Sequence, residues 1–269
     1  MKDIYTLESN KPGPTISIMG AIHGDEFCGA QAIEEIKDSL QITKGKVHMI
    51  IANRPALEQN TRQINFNMNR IFQDNLPPEV KQKYEFARAQ EIRGILDQSD
   101  MLLDIHSSGP GSQPFIITEA NSFKYITNLE FTNVLTGIDA FHPGSTDGYM
   151  FNQNKVGICI ECGFNQDPNS VRIAKQGIHD FLGTLDMIDL NQPLIQHPKS
   201  IYKSAFIYSS QTENFKLTKD FVDFEHVPAN SPIATESNQI VEFNQDYHIL
   251  FARNPEKIGD ECFLLTTKQ

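Results

Sequence analysis

The chain has 269 residues, 39% of them hydrophobic, which is enough for one large α/β domain or for a large domain with a small appendage. It carries 23 basic and 34 acidic residues, a formal net charge of -11, which argues against nucleic acid or an anionic membrane as the main partner. No stretch has the character of a signal peptide or a membrane span, and four cysteines in this length do not indicate a secreted disulfide framework. We therefore expect a soluble protein in a reducing cytoplasm.

The first elements are predicted as strand, helix and strand. Residues 15–20 form a β-rich run that leads to His23, residues 26–40 repeat apolar side chains at helical spacing, and residues 46–53 form an apolar strand. This order favours a parallel strand pair joined by a crossover helix. Residues 53–78 keep no period and are rich in asparagine, arginine and proline, so we predict an extended functional loop there.

The middle of the chain continues this alternation of strands and helices. Strands are predicted at 100–106, 114–118 and 155–163, and helices at 79–98 and within 122–136. The helix at 79–98 is predicted to lie on the surface, with a stripe at helical spacing formed by Val80, Tyr84, Ala87, Glu91 and Ile95. A last helix is predicted to begin at Asp167, which would cap it ahead of Pro168 in the first turn.

After about residue 195 the helical period disappears and short β-rich runs take over. These runs lie at 200–209, 231–235, 240–243, 247–252 and 262–266. We therefore expect a catalytic α/β domain at 1–194 and a small β-rich domain at 195–269 that partly covers the active site.

Side chains that can bind a metal follow or end three of the predicted strands. His23 and Glu26 come after the first strand in a glycine-flanked turn, His106 ends the strand at 100–106, and Glu161 lies near the end of a later strand. In an open α/β sheet, binding crevices form beyond the carboxyl ends of the strands. Two histidines and one carboxylate leave a coordination position open, which is the catalytic zinc pattern. We predict that His23, Glu26 and His106 bind one zinc ion and that Asp104, on the same strand face as His106, orients a ligand.

Five segments resemble, in order, the succinylglutamate desuccinylase and aspartoacylase family, which belongs to the zinc carboxypeptidase-like superfamily. The segments are 20–26, 53–56, 62–72, 104–107 and 160–163. The resemblance implies a zinc carboxypeptidase-like mixed sheet flanked by helices, with a small all-β C-terminal domain.

The same resemblance implies a role for each matching residue. It implies that the three metal ligands bind one zinc ion per chain. It also implies that Glu161 is the catalytic carboxylate, which activates water and returns the proton to the leaving amine. It implies that Arg62 stabilises the developing oxyanion, and that Asn69 and Arg70 bind the free carboxylate of the substrate.

One position departs from the family pattern. Aspartoacylase itself has an arginine ten residues before the catalytic glutamate, where it meets the side-chain carboxylate of its substrate, and this chain has Phe151 there. We therefore do not expect N-acetylaspartate to be the substrate. His142, Tyr149 and Asn152 lie in the same stretch and are candidates for a different side-chain pocket.

Simpler explanations remain for several other residues. Cys159 and Cys162 form a Cys-x-x-Cys, but without a second pair they are predicted to be core cysteines. The remaining histidines have no partners at ligand spacing and are predicted to be surface or packing residues.

The sequence thus predicts a zinc-dependent hydrolase that cleaves the amide bond of a small N-acyl amino acid. The alternatives are a zinc carboxypeptidase acting on short peptides and a non-catalytic module that uses zinc only to hold its loops. The acyl group, the side-chain preference and the oligomeric state, a homo-oligomer among the options, stay open.

Overall fold

The computed structural model describes residues 3–269, which form an α/β protein. Its helices are α1 (Cys28–Ile36), α2 (Arg54–Gln59), α3 (Tyr84–Leu96), α4 (Phe123–Ile126), α5 (Thr146–Asn152) and α6 (Asn169–Thr184). Its strands in the first part are β1 (Ile4–Glu8), β2 (Thr15–Gly20), β3 (Lys46–Ile51), β4 (Met101–Ser108), β5 (Pro114–Thr118), β6 (Asn133–Thr136) and β7 (Val156–Phe164). The later strands are β8 (Ser200–Ser209), β9 (Lys216–Leu217), β10 (Glu225–Val227), β11 (Ala234–Glu236), β12 (Gln239–Val241), β13 (Tyr247–Leu250) and β14 (Glu261–Lys268).

Eleven of these strands form one mixed sheet, in the order β1-β3-β2-β4-β7-β5-β6-β8-β14-β13-β10. The pairs β3/β2, β2/β4 and β4/β7 are parallel, so the sheet has a parallel centre. Strands β12, β11 and β9 form a separate antiparallel sheet of three strands. The predicted fold class, a mixed sheet flanked by helices with a small β-rich C-terminal part, is confirmed.

Helices cover both faces of the parallel centre, and strand β2 shows why its sequence is largely apolar. Ile16 and Ile18 belong to the core on the side of α1 and α6, whereas the alternate residue Met19 belongs to the core on the side of α3. Successive side chains of a strand point to opposite faces, so a strand that is covered twice needs apolar residues at both.

Several elements confirm the predictions from the sequence. Strands β2, β5 and β8 have the predicted bounds, and the crossover from β2 through α1 to the parallel strand β3 is present. Helix α6 begins at Asn169, two residues after Asp167, whose carboxylate accepts the Asn169 N–H at 2.9 Å. Four of its predicted inward residues are buried: Val171, Ala174, Ile178 and Phe181.

The prediction that 53–78 contains no packed element was wrong. Helix α2 begins directly after Asn53, whose side-chain oxygen caps it by accepting the Ala56 N–H at 3.3 Å. Six residues are too few to show a helical period, so only the cap could have indicated this helix. Strand β1 at the sheet edge and helix α5 were also missed.

The stripe predicted at helical spacing does not coincide with the buried face of α3. Tyr84, Ala87 and Glu91 are exposed. The residues of α3 that are buried are Glu85, Arg88, Ala89, Ile92 and Leu96. Two of these are charged, so hydrophobic periodicity could not identify the inward side of the helix.

The β-rich C-terminal part continues the main sheet. Strand β8 pairs in parallel with β6, and β14, β13 and β10 follow it in antiparallel order. The backbone hydrogen-bond network therefore passes from the first part of the chain into the last without a break, and the division at residue 194 stays a prediction. Among residues 3–269, no helix has both the length and the apolar character needed to cross a membrane.

Candidate metal centre and active site

Three neighbouring parallel strands bring the candidate residues to one edge of the sheet. Gly20 at the end of β2 pairs with Ile105 of β4, and His106 of β4 pairs with Glu161 of β7. The turn that follows β2 then carries His23 and Glu26. The carboxyl ends of β2, β4 and β7 therefore meet where the sequence predicted a crevice.

Close backbone packing holds the turn between β2 and α1. A Cβ on Gly20 would lie 2.5 Å from the carbonyl carbon of Gly29, and a Cβ on Gly24 would lie 2.1 Å from that of Ala56. The Gly24 N–H also donates to the Arg62 carbonyl oxygen at 3.2 Å. Only glycine lets these backbones approach so closely, so the turn is fixed against α1 and α2.

His23, Glu26 and His106 form a buried group that could hold a metal ion. One ligand atom from each lies within 4.8 Å of the other two, and the residues are 3–5% exposed. Glu26 Oε1 lies 2.7 Å from His23 Nδ1, and Glu26 Oε2 lies 2.9 Å from His106 Nδ1. The donor set is therefore two imidazole nitrogens and one carboxylate, the composition expected for zinc.

The outer nitrogen of each histidine has its own partner. Asn67 Oδ1 lies 2.9 Å from His23 Nε2, and this oxygen also accepts the Asn69 N–H at 3.0 Å, which fixes the orientation of the amide. His23 Nε2 must then be the donor, so a neutral His23 turns the lone pair of Nδ1 towards Glu26. Asp104 Oδ2 lies 3.2 Å from His106 Nε2 in the corresponding position. A lone pair that faces a carboxylate needs a cation between them, so the group fits a metal ion.

The charges within the group act on the pKa values of its members. Burial lowers the pKa of His23 more than Glu26 raises it. Burial also opposes the charged form of His106, but Asp104 and Glu26 raise the pKa of His106 well above its ordinary value. For Glu26 the two histidines outweigh burial, and its pKa lies well below the ordinary value. Glu26 is therefore ionised and available as a metal ligand.

Glu161 is a second buried carboxylate beside this group. It is 6% exposed, and the Ser108 hydroxyl donates to its Oε2 at 3.2 Å. Burial raises the pKa of Glu161 to about 8, against the opposing charge of His106, while Glu26 and Asp223 raise it further. Asp223 belongs to the C-terminal part, and its N–H lies 3.5 Å from the Gly111 carbonyl oxygen. The C-terminal part thus reaches the edge of the sheet that carries Glu161.

The three polar residues predicted to meet substrate lie on the segment between α2 and α3. Arg62 donates to Glu26 Oε1 at 3.0 Å and leaves 49% of its side chain exposed. Arg70 is half-buried, its pKa is lowered by burial and then by Arg62, and it donates to the Asn69 carbonyl oxygen at 2.7 Å. The side-chain oxygen of Asn69 accepts the Thr146 N–H at 3.1 Å, which leaves its amide N–H groups for another partner.

A polar chain joins this segment to the metal group, and sequence reasoning missed two of its members. The Thr146 N–H donates to Asn69 Oδ1, and the Thr146 hydroxyl donates to Asp104 Oδ2, which also contacts His106 Nε2. Asn67, the other missed residue, lies within the asparagine-rich run, and that composition was the one signal available. Nothing in the sequence marks Thr146.

The side chains that were expected to line one pocket make their contacts in two different places. His142 Nε2 lies 3.3 Å from a Glu261 carboxylate oxygen, and Glu261 also acts on the pKa of Arg70. Tyr149 instead donates to Asp97 at the C-terminal end of α3. Phe151 is 40% exposed. Of the three candidates, His142 alone has a contact on the side of Arg70.

Residues 12–184, more than half of the chain, match the family model described as the succinylglutamate desuccinylase/aspartoacylase catalytic domain. The chain belongs to this family. Its relatives are deacylases, and the family assignment made from the five segments is confirmed.

Two members of the family show how far this sequence has diverged from its relatives. The chain is 24% identical over 242 residues to the N-alpha-acetyl-L-2,4-diaminobutyric acid deacetylase of Halomonas elongata, a match that covers 79% of this chain and 68% of that enzyme. It is 30% identical over 133 residues to the aspartoacylase of Rattus norvegicus, which covers 45% of this chain and 43% of that enzyme.

A solved structure of the family has the same fold. The succinylglutamate desuccinylase/aspartoacylase from Rhodobacter sphaeroides superposes with a TM-score of 0.78 at 19% identity. The superposition covers 99% of this chain and 88% of that chain, so the similarity in fold includes the C-terminal strands.

Proposed function

We propose that this protein is a zinc-dependent hydrolase that cleaves the amide bond of an N-acyl amino acid and releases a carboxylate and the free amino acid. The observation that carries this proposal is the buried His23, Glu26 and His106 group with the buried carboxylate of Glu161 on the adjacent strand. The family membership and the names of the relatives support the same reaction class.

His23, Glu26 and His106 would hold one zinc ion through two imidazole nitrogens and a carboxylate. When bound, zinc supplies a Lewis acid that polarises the substrate carbonyl and lowers the pKa of water. Three protein ligands leave a position open, which distinguishes this arrangement from a structural zinc site with four. The outer partners Asn67 and Asp104, which contact the Nε2 atoms, would keep the Nδ1 atoms available as ligands.

Glu161 would act as the general base and then as the general acid. It accepts a proton from the attacking water and returns that proton to the nitrogen of the leaving amine. Burial raises the pKa of Glu161 to about 8, which favours the protonated form that delivers the proton to the leaving amine. The Ser108 hydroxyl orients the carboxylate for both steps.

Arg62, Asn69 and Arg70 would bind the substrate. Arg62 is exposed enough to donate to the oxyanion that develops on the carbonyl. The amide N–H groups of Asn69 and the guanidinium of Arg70 would bind the free carboxylate of the amino acid. The polar chain through Thr146 and Asp104 ties this binding to the metal group.

The surroundings of Arg70 favour substrates whose side chain is neutral or cationic. Glu261, Asp147 and Asp139 all act on the pKa of Arg70, so the region is acidic. Phe151 stands where aspartoacylase has an arginine for a carboxylate side chain, so nothing at that position would compensate a second negative charge. The relative from Halomonas elongata is named for a substrate with an amino side chain.

A substrate panel tests the proposal. Purified protein loaded with zinc is assayed with N-acetyl and N-succinyl amino acids of anionic, neutral and cationic side chain, beside short peptides. We expect amide hydrolysis of acyl amino acids, with N-acetylaspartate among the poor substrates. Turnover of peptides alone would favour the carboxypeptidase instead.

The matched control for this assay is Glu161→Gln. We expect zinc content to be unchanged and kcat to fall about 10²- to 10⁴-fold. Hydrolysis that continues at the wild-type rate would remove Glu161 from the mechanism.

We further propose a small-molecule substrate, a cytoplasmic location and a division of the chain at residue 194 into two parts that fold together. The contact of Asp223 with the loop at Gly111 supports a C-terminal part that restricts access to the site.

A further inference from the structure

The carboxylate of Glu85 is buried under the segment that carries the proposed substrate-binding residues. Glu85 lies in the first turn of α3 and is 0% exposed. Its Oε1 accepts the N–H groups of Ile64 and Asn65, both at 2.8 Å. Within the described residues its Oε2 has no hydrogen-bond partner. Burying a carboxylate costs free energy unless it is hydrogen-bonded, so we expect the two hydrogen bonds of Glu85 to stabilise the segment that it contacts.

The two amides lie midway between the functional side chains. Ile64 and Asn65 follow Arg62 by two and three residues, and they precede Asn67, which contacts His23, by three and two residues. Further contacts fix the ends of the segment, because the Arg62 carbonyl accepts the Gly24 N–H. Glu85 thus holds the backbone between Arg62, which is proposed to bind the oxyanion, and Asn67, which contacts the metal-group residue His23.

Helix α3 is itself anchored to the sheet by a second charged residue. The Arg88 guanidinium donates to the carbonyl oxygens of Ile51 and Ala52 at 3.0 and 2.9 Å, at the end of β3. Glu85 and Arg88 are one helical turn apart, so they lie on the same face of α3. This face therefore connects the rigid centre of the sheet to the segment that contacts substrate.

We propose that Glu85 is a positioning residue for the reaction: by holding the Ile64 and Asn65 amides it sets Asn67 against His23 and Arg62 beside the metal group. The inference rests on the proposed function. An ionised carboxylate makes stronger hydrogen bonds to two N–H groups than a neutral amide does, which explains a glutamate at this place rather than a glutamine.

The control is a carboxylate in the separate three-stranded sheet that also accepts from two consecutive amides. Glu236 of β11 is buried, and its Oε1 accepts the N–H groups of Gln211 and Thr212 at 2.7 and 2.8 Å. Substituting either glutamate removes an acceptor from two consecutive amides. The Glu236 variants therefore report the purely structural effect.

The experiment compares Glu85→Leu and Glu85→Gln with Glu236→Leu and Glu236→Gln. Zinc affinity is measured by competition with a chromogenic chelator, kcat and KM with the best substrate of the panel, and stability by urea unfolding. For Glu85→Leu we expect zinc affinity and kcat/KM each to fall about 10- to 100-fold, the range typical for partners of metal ligands. Glu85→Gln, which keeps an acceptor oxygen but not the charge, should recover part of both losses and remain several-fold below the wild type. The Glu236 variants should lose stability alone.

Wild-type zinc affinity and kcat/KM in Glu85→Leu would overturn the proposal, as would equal losses in the Glu236 variants. If Glu85→Leu does not fold, Glu85→Gln decides: zinc affinity several-fold below that of Glu236→Gln supports positioning, and equal affinity overturns it. Zinc affinity needs no substrate. If the wild type hydrolyses nothing in the panel, the proposed reaction fails while the positioning of His23 is still tested.

Discussion

Two side chains beside the metal group, Asn67 and Asp104, decide which nitrogen each histidine presents. Asn67 accepts from His23 Nε2, and Asp104 holds His106 Nε2, so both Nδ1 atoms face Glu26. The strand alternation predicted Asp104 because it lies two residues before His106. It could not predict Asn67, which lies in an irregular segment and meets His23 only after the chain has folded.

These partners give a first prediction. Asn67→Ala and Asp104→Ala should each lower zinc affinity about 10- to 100-fold, because the freed imidazoles rotate and can present the wrong nitrogen. Chelator competition measures the change. Asn121→Ala, an exposed substitution remote from the metal group, serves as the control and should bind zinc as the wild type does. Unchanged affinity in Asn67→Ala would mean that His23 is oriented by something else.

A second prediction concerns Asp147 at the start of α5. Burial, and then the charge of Asp139, raise the pKa of Asp147 from 3.8 to about 7. The folded state therefore holds a proton that the unfolded state releases, and stability should fall as the pH rises from about 4 through about 7. Urea midpoints at pH 5 and pH 8 should differ less in Asp147→Asn than in the wild type.

Asp220 is exposed and provides the control for this pH experiment. Asp220→Asn should keep the pH dependence of the wild type. If both variants show the same slope, another group causes it.

At the scale of elements, the turn between β2 and α1 depends on backbone contact rather than on side chains. The glycines that flank His23 predicted the position of this turn. The sequence could not show that each glycine is required by a close backbone contact. Gly20 lies against Gly29 of α1 so closely that a methyl group has no space.

A third prediction follows from this contact. Gly20→Ala should destabilise the fold by about 1–3 kcal/mol and weaken zinc binding, because the strand and the helix must separate. Gly94 of α3 has no atom near its missing Cβ, so Gly94→Ala should stabilise by about 0.5–1 kcal/mol through helix propensity alone. Thermal unfolding and zinc affinity of both variants distinguish contact from propensity. Equal behaviour of the two would contradict the close approach.

The elements that the sequence predicted best are the ones whose burial follows a simple pattern. Strand β2 is a continuous buried run, helix α6 buries residues at helical spacing, and both were found close to their observed bounds. Helices α2 and α5 span less than two full turns, and α3 buries two charged residues, so none of them shows an apolar stripe that could be recognised. The residues of the site that were missed, Asn67 and Thr146, belong to these irregular regions.

At the scale of the whole molecule, aromatic packing joins the two parts of the chain in addition to the sheet. The ring of Phe115 in β5 lies 5.0 Å from the ring of Phe224, and Phe224 lies 4.6 Å from Tyr202 of β8. These residues belong to one buried cluster that draws on both sides of residue 194.

A fourth prediction tests the division of the chain. A protein of residues 1–194 should fail to show a cooperative unfolding transition, since it lacks the strand that pairs with β6 and the rings that cover Phe115. Circular dichroism during heating and size-exclusion chromatography measure this. A soluble fragment with the melting temperature of the full chain would instead support an independent catalytic domain.

The position of β14 has a consequence for how the protein is made. It is the last strand in chain order, yet it lies between β8 and β13 inside the sheet. While the chain leaves the ribosome, β8 is synthesised and then waits for some fifty residues before its second neighbour arrives. During that interval an unpaired edge of the large sheet is open to other chains, so synthesis that stalls after β8 should yield aggregates rather than a partly active enzyme.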